Sequence, residues 1–192
     1  MLAYIVLLLA VISRLLPPAM HAVGWNFTAL GGGLLFFGSR MNAGGSNAFT
    51  RTTAAKLVSA VAILMATDYF LTVHFYQYPF EPRMYLITWV WYALTCMLGL
   101  GLLQKVTVVR VAAGTLASAT SFFLLSNAAV WAAGTMYPRT LAGLGASLVA
   151  GIPFYRNDLV STALTASVLF GLPVLAAKFV ENTHAAHNDT LA

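Results

Sequence analysis

Thr53-Ala-Ala-Lys-Leu-Val-Ser-Ala-Val-Ala-Ile-Leu-Met-Ala-Thr-Asp-Tyr-Phe-Leu-Thr-Val-His-Phe75 is an unbroken run of 23 residues, with one basic side chain near its start and one acid, Asp68, deep inside it. About 20 predominantly apolar residues are what a helix needs to cross a hydrocarbon core about 30 Å thick. Neither glycine nor proline interrupts this stretch, so it predicts a transmembrane helix.

Five further apolar runs, bounded by Pro, Gly or charge, lie on either side of it: 2–16, 27–39, 84–103, 106–126 and 157–179. A seventh stretch, 138–152, is bracketed by Pro138 and Pro153. At about 1.5 Å per residue it reaches roughly 22 Å, short of the core, and so predicts a partial or interfacial helix. The expected fold is all-α: a polytopic bundle of six transmembrane helices plus that short one. Residues 1–181 form a single transmembrane domain, and 182–192 read as a flexible tail.

Composition supports this. Of 192 residues, 60% are apolar and 8% charged, and the mean hydropathy is +0.82. Those values exclude a soluble two-layer domain and a disordered chain. Long runs in place of alternation argue against an outer-membrane barrel. The formal charge of +5 belongs to membrane loops, and nucleic acid is not implied. The single cysteine, Cys96, rules out a disulfide framework and reads as a small buried hydrophobe. The first run carries no Lys or Arg ahead of its apolar residues and no clear cleavage site after them, so it reads as a retained span. In the tail, His184 and His187 have a metal-compatible spacing, but the polar residues around them favour a solvated end.

The basic residues set a topology. With both termini cytoplasmic, Arg40, Arg51, Lys56, Lys105, Arg110 and Lys178 fall inside, and Arg14, Arg83, Arg139 and Arg156 outside. Asp68, Glu81 and Asp158 also fall in the outer half, where they can pair with those arginines. The inner loops, including the Gly/Asn/Ser tract 42–47, are almost purely basic. The polar site is therefore expected at the outer face.

An ionisable group within a span is costly and marks function by default. Asp68 is the clearest case; its alternative is a hydrogen bond to a neighbouring helix. His74 follows about a turn and a half further out. The next loop, His74-Phe-Tyr-Gln-Tyr-Pro-Phe-Glu-Pro-Arg-Met-Tyr85, offers flat ring faces that suit a planar ligand or a headgroup belt. A second polar concentration runs from Ser126-Asn127 through Trp131 to Tyr137-Pro-Arg139 and resumes at Pro153-Phe-Tyr-Arg156-Asn157-Asp158. Arg156 needs an acceptor, which Asp68 or a ligand oxygen could supply. Asn157 or Asp158 would cap the last helix. Ala142, Ala146 and Ala150, with Gly143, Ser147 and Gly151 beside them, make small-residue rows suited to close helix packing or to docking a partner. No G-x-S-x-G, H-E-x-x-H, Walker loop, G-x-G-x-x-G or C-x-x-C occurs, and Gly31-Gly-Gly33 lacks the strand and lysine of a phosphate cradle. No catalytic set, metal or cofactor is expected, so the chain reads as a non-enzyme.

Three strings, Asn26-Phe-Thr-Ala-Leu-Gly31, Thr67-Asp68-Tyr-Phe-Leu-Thr-Val-His74 and Ser126-Asn127 through Trp131 to Gly143, resemble an uncharacterised family of small bacterial inner-membrane proteins. That family is in turn similar to the substrate-binding S components of energy-coupling-factor vitamin transporters and to solitary cobalamin transporters. The resemblance implies a bundle of six helices that captures a small water-soluble molecule, a vitamin or corrinoid, from outside. It assigns Asp68, Tyr85 and Arg156 to the site. Asn26, Asn127, Trp131, Tyr137 and His74 complete the expected set. The cysteine that presents a thiolate to cobalt in the cobalamin relatives has no counterpart in Tyr78-Pro-Phe-Glu81, although His74 could ligate a metal instead. The A-x-x-x-A coupling face of the first span is also missing, because Ala3 and Ala10 stand seven apart. The expected partners are a small-molecule substrate, the lipid bilayer and either a coupling module or a membrane complex. A non-catalytic accessory subunit of such a complex is the alternative function.

Overall fold

The computed structural model describes residues 1–15, 28–42, 49–177, 179 and 181. Among these the fold is all-α, with six helices: α1 (Leu2–Ser13), α2 (Leu30–Ser39), α3 (Arg51–Phe70), α4 (Pro82–Leu102), α5 (Val108–Ala133) and α6 (Leu141–Ala166). A π-helical turn, Leu71–Phe75, extends α3, and a second, Ser167–Gly171, carries α6 on to Ala177. Four of the helices are long and apolar enough to cross a bilayer, and α1 and α2 are shorter apolar helices. Helix length and hydropathy make this a multi-pass membrane protein.

Local chemistry sets the helix starts. Thr50, Thr107 and Thr140 each precede a long helix in extended backbone, and each side-chain oxygen accepts from the amide three residues on, at 3.2, 3.3 and 3.1 Å. Pro82 opens α4, where its fixed φ suits the first turn. Thr140→Ala should therefore lower unfolding stability by about 1 kcal/mol. Thr140→Ser should restore most of it, as read from thermal unfolding in detergent.

The shortest helix occupies the centre. All ten residues of α2 are buried, and it packs against α1, α4, α5 and α6. Its glycines permit this. A Cβ at Gly38 would collide with the carbonyl oxygen of Cys96 on α4, and one at Gly99 with the carbonyl oxygen of Leu35 on α2. The two backbones cross almost in contact, the packing mode that small residues allow in membranes. Cys96 lies in this crossing, fully buried in the apolar core as expected.

The carboxyl-terminal part departs from the sequence expectation. Stretch 138–152 is not a separate partial helix: with the following span it forms one helix, Leu141–Ala177, of 37 residues. At about 1.5 Å per residue this is about 55 Å, well beyond a bilayer core. Pro153 lies inside it without ending it. Pro153 removes one backbone hydrogen bond, whereas a break would expose several polar groups to an apolar environment, which is costlier. Asn157 and Asp158 are consequently mid-helix and cap nothing. Of the two small-residue rows, Gly143, Ser147 and Gly151 are buried, while Ala142, Ala146 and Ala150 are exposed. The buried row meets α5, where Ser147 Oγ donates to the carbonyl of Asn127 at 3.0 Å.

Candidate functional site

The helix ends sort by charge. Arg40, Arg51, Lys56, Lys105 and Arg110 gather where α2 and α4 finish and α3 and α5 begin. Arg14 and Asp68 meet at the opposite end, where α1 and α3 finish and α4 begins.

Asp68 is 2% exposed. Its Oδ1 accepts from Arg14 Nη2 at 2.5 Å and from the Tyr92 hydroxyl at 3.2 Å, and its Oδ2 from Trp89 Nε1 at 2.9 Å. Three donors from two other helices thus satisfy one carboxylate, which is the condition under which a buried charge persists. Thr72, in the π turn just after Asp68, donates to the Asp68 carbonyl at 2.7 Å and shares a 2.6 Å hydrogen bond with the Tyr85 hydroxyl. Tyr85, Phe80 and Trp89 form a cluster of near-parallel rings, Tyr85 lying 5.1 Å from Phe80 and 6.1 Å from Trp89, and Phe80 6.4 Å from Trp89.

Beside this cluster lies a cavity of about 360 Å³, near the lower bound of the 300–1,000 Å³ typical of small-molecule sites. Arg14, Asp68, Thr72, Tyr85, Thr88 and Tyr92 form one wall. Trp91, Phe122, Phe123, Ser126, Asn127, Tyr155 and Asp158 form the other, and Leu30 at the start of α2 also lines it. Ring contacts brace the far wall: Trp91 on Phe122 at 4.6 Å and Phe123 on Tyr155 at 4.9 Å. The Tyr155 hydroxyl bonds Thr120 Oγ1 at 2.9 Å, and Asn127 Nδ2 donates to the Phe123 carbonyl at 2.7 Å.

Of the residues expected in the site, Asp68, Tyr85 and Asn127 line this cavity. Four others do not. Arg156 is exposed on α6, and the cation that meets Asp68 is Arg14. His74 is exposed in the π turn, against the Tyr69 and Phe70 rings. Trp131 donates to the Pro138 carbonyl at 2.9 Å, and Tyr137 lies half-buried in the same connection between α5 and α6. Asn26 lies outside the described residues, as do residues 43–47 of the Gly/Asn/Ser tract and the tail histidines. Sequence reasoning missed Trp89 and Tyr92, whose signal was available: Tyr85, Trp89 and Tyr92 recur at the four- and three-residue spacing that puts them on one helix face.

No group of three or more His, Cys, Asp or Glu that could hold a metal ion occurs among the described residues. The arrangement is a small amphipathic chamber, aromatic on its sides and polar at defined points, within a multi-pass helical membrane protein. The chain belongs to a family of unknown function, DUF6580, whose model matches residues 1–185. No curated protein and no solved structure matches it.

Proposed function

We propose that this is a transport protein of the bacterial inner membrane, similar in kind to an S component, that captures a small water-soluble molecule in the cavity beside Asp68. The observation that supports this reading most is the chamber itself, with its Arg14–Asp68 pair among aromatic rings. Excess Lys and Arg mark cytoplasmic loops. The basic helix ends then face the cytoplasm, both termini lie inside, and the chamber opens outward. Its volume suits a molecule of one or two rings better than a corrinoid macrocycle. In this reading the chamber binds and orients its cargo, and the loaded bundle must reorient to deliver it.

The first span offers no A-x-x-x-A face to a coupling partner. Ala10 is buried, and a Cβ at Gly33 of α2 would lie 2.8 Å from its own. Ala3 packs, partly buried, against the same core. This favours a solitary transporter or a different docking face. The accessory-subunit alternative draws on an apolar groove of about 730 Å³ between α5 and α6, lined by Val108, Val111, Leu159, Phe170 and Val174 among others. A protein partner copurifying in fixed ratio would favour that alternative.

The capture reading is tested by side-specific labelling. The only cysteine is buried, so Ser126→Cys in a Cys96→Ala background places one thiol in the chamber wall. A small membrane-impermeant methanethiosulfonate should modify it in spheroplasts and not in inverted vesicles. Modification only from the cytoplasmic side, or from neither side, contradicts outward capture.

A further inference from the structure

The described part of the chamber wall carries two carboxylates and one guanidinium. Arg14 and Asp68 are engaged with each other, and Asp68 also takes hydrogen bonds from Trp89 and Tyr92. Asp158 stands apart. Its Oδ2 is buried with no hydrogen-bond partner among the described residues. Arg156, two residues earlier on α6, is exposed and does not line the chamber, and no lysine lines it. One donor is also left over: Arg14 Nη1 is buried and unpartnered.

Burying a carboxylate oxygen without a partner is unfavourable unless a cation or donor meets it. The described wall therefore has an acidic excess, a spare acceptor at Asp158 and a spare donor at Arg14, and the rings of Trp91, Tyr85, Phe122 and Tyr155 line the same cavity. Aromatic faces attract cations as well as stacking on flat rings. An anionic cargo would meet Asp158 with like charge, whereas an ammonium group would relieve it.

We propose that the cargo is an organic cation of one or two rings, its ammonium group against Asp158 and its rings against the aromatic side chains of the wall. This rests on the capture reading above and narrows it to a class of substrate.

Three indole derivatives of matched size separate the possibilities: tryptamine, a cation; tryptophol, its neutral counterpart; and indole-3-propionate, an anion. Titrated calorimetrically into the full-length protein in nanodiscs, tryptamine should bind at least tenfold more tightly than tryptophol, and indole-3-propionate most weakly. Asp158→Asn should bring the tryptamine to tryptophol ratio to within about twofold of unity while leaving the melting temperature nearly unchanged. Equal or tighter binding of the neutral or anionic compound, or a ratio untouched by Asp158→Asn, overturns the cation assignment. If that compound's binding is abolished by filling the chamber with Thr88→Trp, the capture reading survives. No binding of any of the three, together with no small molecule retained on purification, overturns both.

Discussion

Asp68→Ala should destabilise the protein by about 3–5 kcal/mol, because it leaves the Arg14 guanidinium buried opposite no carboxylate. The side chains of the pair are 1% and 17% exposed, so the surviving partner has only the limited solvation that the cavity offers. Trp89 Nε1 and the Tyr92 hydroxyl lose their acceptor in the same step. Arg14→Met should cost a similar amount, now leaving the carboxylate uncompensated. The double variant Arg14→Met with Asp68→Ala should be less destabilised than the sum of the two, since it removes both charges. It should not recover fully, because each unsatisfied donor left behind costs about 1–3 kcal/mol. Denaturant unfolding of all four proteins closes the cycle. Additive effects would mean the pair is not coupled as the geometry requires.

The second large effect is expected at the α2–α4 crossing. Gly38→Ala sets a methyl group against the Cys96 carbonyl, a backbone atom that no rotamer change can move aside. Overpacking of this kind costs about 1–3 kcal/mol, and a clash with backbone belongs at the upper end of that range or above it. Gly101→Ala is the control. That glycine is exposed in the same α4, and an added Cβ there meets nothing within 4 Å. It should be close to neutral, since the added methyl group meets nothing and the backbone there is not in the left-handed region. Equal melting temperatures for the two variants would contradict the close crossing.

The sequence and the structure agree where hydropathy and charge carry the information. The run containing Asp68 is a helix, Asp68 is buried in the bundle, and it lines one cavity with Tyr85 and Asn127. They part where the outcome depends on tertiary partners. Proline read along the chain signals a break at Pro153, but the neighbouring α5 and the apolar surroundings make continuation the cheaper course. That one misreading moved Arg156 from helix interior to helix start, and so to a place in the site. Arg14 was legible as an outer charge, but its pairing with a residue 54 positions away has no local signature. Trp89 and Tyr92 sat in an apolar run where indole and phenol read as bulk. Only a helix-face projection sets them beside Asp68.

The most direct test of the central claim is native mass spectrometry of the protein released gently from its own membrane, comparing the natural chain with Thr88→Trp, which fills the chamber wall. The natural chain should carry a small-molecule adduct that dissociates on collisional activation, and Thr88→Trp should appear at its bare mass with little change in melting temperature. A bare natural chain, or an adduct equally abundant on both proteins, would contradict a cavity that holds cargo.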